Sequence, residues 1–378
     1  MQIGLTKKLA DYTGIKIASP DVIADPLFSW SANLLTINRR KTIVCMNDAS
    51  RFAFIMYGIK AADVKKLDQL ILRGIKQLMV LEGIGPDIVE QYLFHKSADL
   101  AAPRISYTKT PSRKAIAALN KVCSNVEFMS AHDLDVFPSA VLGTGLNRMG
   151  FSMDDRWVYP CELFVGQLKE RYGGPVIRTE AAELTVTLDL NGSEAVRYLI
   201  VPTFFTFAEL HQVIQTVYCW QDYHLHEFVL SQNADGHNSE LIVPRADELE
   251  GTENYRLEAD VRLSEVFSAD KLSGNGVIAY QYDFGDGWEH FIRCERIIED
   301  YNENFAQCLH MEGDAPPEDV GGPGGFQDML GILQDEGHPE HEHIKSWALG
   351  MRWRPLAEGD LEKRNRALAR RHYGHHLY

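Results

Sequence analysis

The sequence has few cysteines and no long apolar run. Its six cysteines are scattered through 378 residues without a Cys-x-x-Cys pair, and a chain of this length can build a core without disulfide bonds. We therefore expect reduced thiols and a cytoplasmic location. The longest nearly continuous apolar run, Phe52–Ile59, is far shorter than the roughly 20 residues that span a bilayer. The N-terminus also lacks the apolar stretch of a signal peptide, so we expect no membrane association.

Signatures of common catalytic and cofactor sites are missing as well. The sequence contains no Gly-x-Ser-x-Gly, no Rossmann glycine fingerprint after a strand and no catalytic cysteine signature. These patterns therefore indicate neither a catalytic nucleophile nor a nucleotide cofactor. They do not decide whether the chain is an enzyme.

Positive charge is scarce, and it is unevenly distributed. The chain carries 38 Lys and Arg against 53 Asp and Glu, a formal net charge of -15, which argues against a protein that coats nucleic acid or an anionic membrane. Residues 1–172 hold 22 basic and 17 acidic side chains, whereas residues 173–378 hold 16 and 36. The first part is thus at +5 and the second at -20. A nucleic acid is a candidate partner for the first part, and a basic protein for the second.

Residues 1–172 are predicted to form a mixed α+β domain. The short β-prone runs Leu34–Ile37, Thr42–Met46 and Phe52–Tyr57, separated by turn-like segments, predict three strands in a meander. Apolar residues at steps of three and four over residues 61–81 then predict a helix, which ends at Gly83.

A second α+β domain is predicted over residues 184–378, after a linker at 173–183 that begins with Gly-Gly-Pro. Two alternating strands flank Asn191-Gly192, a strong hairpin signal. Thr206 and Glu209 predict a capping box at the start of a helix, and Leu225–Leu230 predicts a strand. Hairpin, helix and strand in this order are the opening of a β-grasp-like unit.

Two histidines two residues apart suggest a metal site. His224 and His226 lie on a predicted strand, where alternate side chains share a face, as two ligating imidazoles require. With Asp283 as a third ligand, they are the candidate residues for a divalent metal ion, the one cofactor that the sequence suggests. The alternative is that one imidazole stacks on the sheet while the other is solvated.

A second polar constellation surrounds a predicted hairpin turn in YDFGDGWEH. Asp283, Asp286, Glu289 and His290 are gathered there, which suits a hard cation or an acid and base pair. The alternative is turn chemistry, because Asp before Gly favours tight turns whatever the function.

The third constellation lies in an acidic stretch. Between Glu299 and Glu342 there are twelve Asp and Glu and no Lys or Arg, and the Pro-rich and Gly-rich segment within it predicts a rigid loop that presents Glu318 and Asp319. A solvated acidic surface is the alternative. Cys308 and His310 have the chemistry to complete a zinc site with the two histidines, although nothing in the sequence brings the pairs together.

Basic side chains in the first domain are candidates for contact with an anion or a nucleic acid. They flank two predicted turns and one helix start, where helix N-termini and arginine clusters bind phosphate. These residues are Arg39, Arg40, Lys41, Arg51, Lys109, Arg113 and Lys114. The alternative is an ordinary soluble surface.

Several motifs of the second half carry a family resemblance. VPTFFTFAELHQVIQTVYCWQDYHLHEF, YDFGDGWEH, PPEDVGGPGGFQDML and HPEHEHIKSWAL resemble, in that order over residues 184–360, the Ri-plasmid ORF-three-like family, also labelled a transposon passenger TnpR-like group. The resemblance implies an α+β fold and an association with mobile elements, but no settled activity. Members often carry Cys where this chain has Ala315 and Val320, which weakens a thiolate-metal site here. The first half resembles an uncharacterised bacterial domain, through residues 25–68 and YTKTPSRKAIAALN.

Three hypotheses for function follow. The first is a two-domain binding or regulatory module linked to plasmids or transposons, without catalysis of its own. The second is a metal-dependent enzyme, hydrolase-like, which uses the HLH, DFGDGWEH and PPEDVGG motifs. The third is that these motifs form one polar structural core. The second requires that the three motifs converge in space.

Overall fold

A computed structural model describes residues 1–18, 25–95, 105–132, 145–153, 155–231, 239–245, 254–267 and 277–370. The chain divides into two compact units, with the boundary between Arg178 and Thr179. Helices and strands are mixed in both, so the predicted α+β class is confirmed. The second unit starts directly with a strand at Thr179, inside the stretch 173–183 that was predicted as a linker. Its alternating burial explains why a strand forms there.

The N-terminal unit is built on a five-stranded sheet. Its strands are β1 (Gln2–Leu5), β2 (Ser29–Ile37), β3 (Arg40–Asn47), β4 (Ala53–Tyr57) and β5 (Ser106–Lys109), in the order β4-β3-β2-β1-β5. The predicted meander is present as antiparallel β2, β3 and β4, whereas β1 runs parallel to both β2 and β5. A separate small hairpin joins β6 (Phe151–Met153) and β7 (Arg156–Val158).

Helices supply both faces of this sheet with apolar partners. They are α1 (Lys7–Thr13), α2 (Leu67–Leu81), α3 (Pro86–Leu93), α4 (Arg113–His132) and α5 (Pro160–Tyr172), with 3-10 turns at Pro26–Phe28 and Asp63–Lys66. On β3, Ile43 belongs to a core with α2, α3 and α5, while its neighbour Val44 belongs to a core with α4. Because both faces are buried, the strands read as continuous apolar runs.

The C-terminal unit is built on an eight-stranded sheet. Its strands are β8 (Thr179–Asp189), β9 (Glu194–Pro202), β10 (His226–Ser231), β11 (Ser239–Val243), β12 (Tyr255–Leu257), β13 (Ile278–Tyr282), β14 (Trp288–Tyr301) and β15 (Gln307–Glu312). Their order is β12-β11-β10-β13-β14-β8-β9-β15, and neighbours are antiparallel except β11 and β12. The hairpin turn at Asn191-Gly192 is present, and both residues have positive φ.

Five helices accompany this sheet: α6 (Phe207–Tyr218), α7 (Leu263–Val266), α8 (Gly322–Gln334), α9 (His341–Gly350) and α10 (Asp360–Arg370). The predicted capping box opens α6: the Thr206 side chain accepts from Glu209 N, and the Glu209 carboxylate accepts from Thr206 N. Helix α10 lies against the edge strand β15, where the Asn365 amide exchanges two hydrogen bonds with the Cys308 backbone. A helix so placed protects the sheet edge.

Among the described helices, none combines the length and the apolar composition that crossing a membrane requires. All six cysteines are free thiols.

Candidate metal centre

The three motifs converge at one end of the C-terminal sheet. His224 lies just before β10, and Asp283 lies just after β13. These strands are antiparallel neighbours with His226 opposite Tyr282. The start of β10 and the end of β13 therefore lie at the same end of the sheet. Asp319, from the loop before α8, reaches the same place. The convergence required by the enzyme hypothesis is therefore found for one residue of each motif.

The three side chains have the spacing of ligands around one ion. His224 Nε2 is 3.5 Å from Asp283 Oδ2 and 3.2 Å from Asp319 Oδ1. Two ligand atoms that each lie about 2.1 Å from a tetrahedral metal are about 3.4 Å apart. His224 Nε2 is buried and makes no hydrogen bond to the described residues. An imidazole nitrogen and two carboxylate oxygens thus lie within 4.8 Å of one another, close enough to bind one ion.

The backbone at both carboxylates is unusual. Asp283 and Asp319 have φ values of 56° and 58°, in the left-handed region that few residues other than glycine adopt. Asp283 Oδ1 accepts from Gly285 N and Asp286 N, which leaves Oδ2 directed at His224. Strained backbone of this kind is concentrated at functional sites. The turn thereby holds one ligand oxygen in position.

Asp286 connects the turn to the Gly-rich loop. Its carboxylate accepts from Gly321 N at 3.2 Å, and so ties the segment carrying Asp319 to the turn carrying Asp283. Gly322, with φ of 71°, lies so close to Asp286 O that a Cβ there would be only 2.5 Å away. Asp286, predicted within the candidate cluster, therefore positions the ligands and is not one of the three.

Glu318 is buried and not presented to solvent, contrary to the prediction. It is 3% exposed, and its Oε1 accepts from the Tyr282 hydroxyl at 2.5 Å and from Gln221 N at 3.1 Å. Burial and this carboxylate raise the pKa of Tyr282, which keeps the hydroxyl protonated as the donor. Glu318 Oε2 is buried without a partner among the described residues. The neighbouring carboxylates thus differ in their surroundings: Glu318 is buried, whereas Asp319 is exposed.

His226, predicted with His224 and Asp283 as one metal set, lies instead with His211 and Asp222. Strand β10 begins only at His226, so the alternation that would place both rings on one face does not extend back to His224. His226 Nε2 instead lies 2.8 Å from Glu258, and its ring stacks on His211 with centroids 3.6 Å apart. Asp319 takes the third position beside His224 and Asp283.

His211 is the centre of a hydrogen-bonded network that sequence reasoning missed. Its Nδ1 accepts from the Tyr280 hydroxyl and its Nε2 donates to Asp222, both at 2.8 Å, a tautomer assigned from the surrounding partners. Gln215 donates to Tyr280 and accepts from Asp222 N, which closes a ring. Two polar residues four apart, His211 and Gln215, on an otherwise apolar helix face were the signal in the sequence.

His211, Asp222 and His226 also lie within metal-binding distance of one another. However, the two rings are stacked with an interplanar angle of 5°. A metal binds in the plane of an imidazole, so two parallel rings cannot direct their lone pairs at one point, and both nitrogens of His211 are already used. These three residues are therefore part of the core. For His226, this agrees with the alternative that one of the two predicted imidazoles stacks on the sheet.

Glu289 and His290 lie outside the candidate centre. They are successive residues of β14, so they face opposite sides of the sheet: Glu289 is exposed and His290 is fully buried. Cys308 and His310 lie on β15, five strand positions from β10 in the sheet order, or about 24 Å. The predicted zinc site that joins them to His224 and His226 does not form.

The candidate anion-binding residues of the N-terminal unit do not form one patch. Arg39, Arg40 and Lys41 lie at the turn between β2 and β3, whereas Arg51 lies at the opposite end of that antiparallel pair. The Arg51 guanidinium is 3.8 Å from the Phe151 ring, and burial lowers its pKa. Lys109, Arg113 and Lys114 follow the fifth strand, and Lys109 is level with Leu5 in the sheet.

Comparisons with known proteins place all three motifs inside one matched region. The family described as plasmid pRiA4b ORF-3-like protein matches residues 180–358, and the domain of unknown function DUF6933 matches residues 2–163. Uncharacterized protein y4hQ of Sinorhizobium fredii (strain NBRC 101917 / NGR234) is 34% identical over 164 residues, which cover 43% of this chain and 78% of that protein. Protein of unknown function MM3350 from Methanosarcina mazei Go1, a solved structure, is 31% identical over 48% of this chain and 97% of that chain, with a TM-score of 0.41.

Proposed function

The chain belongs to the plasmid pRiA4b ORF-3-like family, and from the geometry of its C-terminal unit we propose that it binds a divalent metal ion through His224, Asp283 and Asp319. The observation that supports this is the buried His224 Nε2, which makes no hydrogen bond to the described residues yet lies 3.2 and 3.5 Å from two carboxylate oxygens. One nitrogen and two oxygens suit zinc or manganese. Asp319 is exposed, which gives an ion a path from solvent.

For a four-coordinate ion, the three protein ligands would leave one coordination position open for water. This is the arrangement of catalytic zinc sites, where the ion lowers the pKa of bound water, whereas structural sites have four protein ligands. The proposed chemistry is therefore metal-dependent hydrolysis. Glu318, next to Asp319, is held by the Tyr282 hydroxyl and fixes the loop that carries the third ligand.

Metal binding is the first test. We expect chelator-treated protein to bind one equivalent of Zn²⁺ or Mn²⁺ in isothermal titration calorimetry. Asp283→Asn and His224→Ala should each weaken binding by roughly 100-fold or more, because the loss of even an indirect partner of a ligand costs 10–100-fold. His310→Ala is the matched control: this exposed imidazole also lies near a carboxylate, Glu312 at 3.4 Å, but far from the site.

The proposed site would be refuted if the chelator-treated wild-type protein did not bind one equivalent of the ion, or if His310→Ala weakened binding as much as the ligand substitutions. Hydrolysis of p-nitrophenyl esters and phosphoesters then separates an enzyme from a metal-binding module. An enzyme requires turnover that depends on the added ion and disappears in Asp283→Asn.

The second candidate function is a regulatory module linked to plasmids or transposons, with nucleic acid bound by the N-terminal unit. The family's plasmid association and the cluster Arg39–Lys41 at one turn favour it. In an electrophoretic mobility series at low salt, replacing Arg39, Arg40 and Lys41 by Gln should weaken binding to DNA or RNA and flatten its salt dependence. The control removes three exposed charges elsewhere, at Lys65, Lys66 and Lys76. Failure of the wild-type protein to shift any DNA or RNA would rule out this role.

A further inference from the structure

A cavity of about 110 Å³ lies in the C-terminal unit, and Pro316, Pro317 and Glu318 are part of its wall. Its lining comes from β9, the end of α6, the loop at 314–318 and the segment 351–364. Four of the lining side chains are arginines, although this unit is strongly acidic. The lining also holds the carboxylates Asp314, Glu318 and Asp360, so arginines slightly outnumber acidic residues here although the unit as a whole is acidic.

Arg197 is a buried cation without an anionic partner. It is 1% exposed, and its Nε and Nη1 donate only to backbone carbonyls, including Val217 O at 3.2 Å and Glu312 O at 2.9 Å. Among the described residues, its hydrogen bonds all come from Nε and Nη1 and all go to carbonyl oxygens, and no carboxylate pairs with it. Its guanidinium also lies over the Tyr218 ring at 4.7 Å. A buried charge without a counter-charge is costly, and a bound anion would compensate it.

Two further arginines at the cavity have no carboxylate partner among the described residues. Arg364 on α10 donates from Nη2 to the Cys219 thiol, while its Nε is buried without a partner. Arg352 is exposed, has φ of 58° and makes no ion pair. Burial lowers the pKa of Arg197, and the nearby charge of Arg364 acts in the same direction. Three guanidinium groups thus line one small space.

Each carboxylate of the cavity accepts a hydrogen bond from a group other than the three arginines, although Glu318 Oε2 has no partner among the described residues. Asp360 forms an ion pair with the fourth arginine, Arg354, at 2.7 Å. Asp314 accepts from Leu356 N at 2.7 Å, and Glu318 accepts from the Tyr282 hydroxyl. None of them forms an ion pair with Arg197, Arg352 or Arg364 in the part of the chain that the structure describes.

We propose that this cavity binds a small oxyanion, the phosphate or carboxylate group of a soluble ligand, on the guanidinium groups of Arg197, Arg352 and Arg364. Guanidinium groups donate paired hydrogen bonds to such anions. The space suits a group of a few atoms, with the remainder of a larger ligand extending past exposed Arg352. The proposal is independent of the metal centre, since none of the three metal ligands lines the cavity.

The test is titration calorimetry of the chelator-treated full chain with inorganic phosphate and, separately, with acetate at constant ionic strength. We expect saturable binding of at least one, and the tighter one identifies the chemical group. Arg364→Gln and Arg352→Gln should each weaken it about tenfold or more, because each removes charge-assisted hydrogen bonds. Arg366→Gln is the matched control, since Arg366 lies on the same helix but donates only to Glu362 O.

Protection of Cys219 gives a second readout. This exposed thiol lines the cavity, so phosphate or acetate should slow its alkylation by iodoacetamide, followed by mass spectrometry, in the wild type and in Arg366→Gln but not in Arg364→Gln. The test does not use Arg197→Gln, because this buried residue also supports the fold. No binding of either anion to the wild type, or equal weakening by Arg366→Gln, would overturn the proposal.

Discussion

Replacing Tyr280 by Phe is expected to lower the free energy of unfolding of the C-terminal unit by about 2–6 kcal/mol. Tyr280 is fully buried, and its hydroxyl is shared by His211 Nδ1 at 2.8 Å and Gln215 Nε2 at 3.3 Å. Both of these residues are themselves fully buried. Without the hydroxyl, each of these buried groups loses a hydrogen-bond partner, at a cost of about 1–3 kcal/mol for each group.

The measurement is urea denaturation at pH 7.5, with hydrogen exchange used to assign the transition to the C-terminal unit. Tyr255→Phe serves as the control, because this tyrosine on β12 is 36% exposed. A surface change of this kind should stay within about 0.5 kcal/mol of the wild type. If Tyr280→Phe were as mild as Tyr255→Phe, the hydrogen-bonded ring around His211 would not be a stabilising part of the core.

Local features of the fold were predictable from the sequence because each depends on a few adjacent residues. Asn191-Gly192 forms a turn since both residues tolerate positive φ, and Thr206 caps a helix since Glu209 is one turn away. The regular alternation in the second half and the apolar β-prone runs in the first likewise predicted strands.

The composition of the site was harder to predict, because it depends on strand order. His224 and Asp319 are 95 positions apart in the sequence. They meet only because β13 pairs with β10 and the Gly-rich loop reaches the same end of these strands. A period-two argument selected His226 as the partner of His224, but it applies only within a strand, and β10 begins at His226. No short-range rule selects Asp319 over Glu318, whose carboxylate is held instead by Tyr282.

Acid is expected to destabilise the C-terminal unit through two buried histidines. Burial, reinforced by the neighbouring His226, lowers the pKa of His211 to about 4. Burial also lowers the pKa of His290 to about 3, against the opposing effect of its hydrogen bond to the Tyr280 carbonyl. Both values are below the roughly 6.5 of an unfolded histidine. Below that pH the unfolded chain binds protons that the folded chain does not, so stability is greatest above about pH 6.5 and falls as the pH falls towards 4.

Each histidine contributes at most about 1.4 kcal/mol per pH unit, so the pair gives a slope of up to about 2.7 kcal/mol per unit. His290→Phe should roughly halve this slope, because it removes one titrating group from a site surrounded by the aromatic rings of Tyr218, Trp220 and Tyr280. Denaturation curves at pH 7, 6 and 5 give the slopes. His310→Ala, which removes an exposed histidine, should leave the wild-type slope unchanged. An unaltered slope in His290→Phe would mean that His290 is not the group whose protonation unfolds this unit.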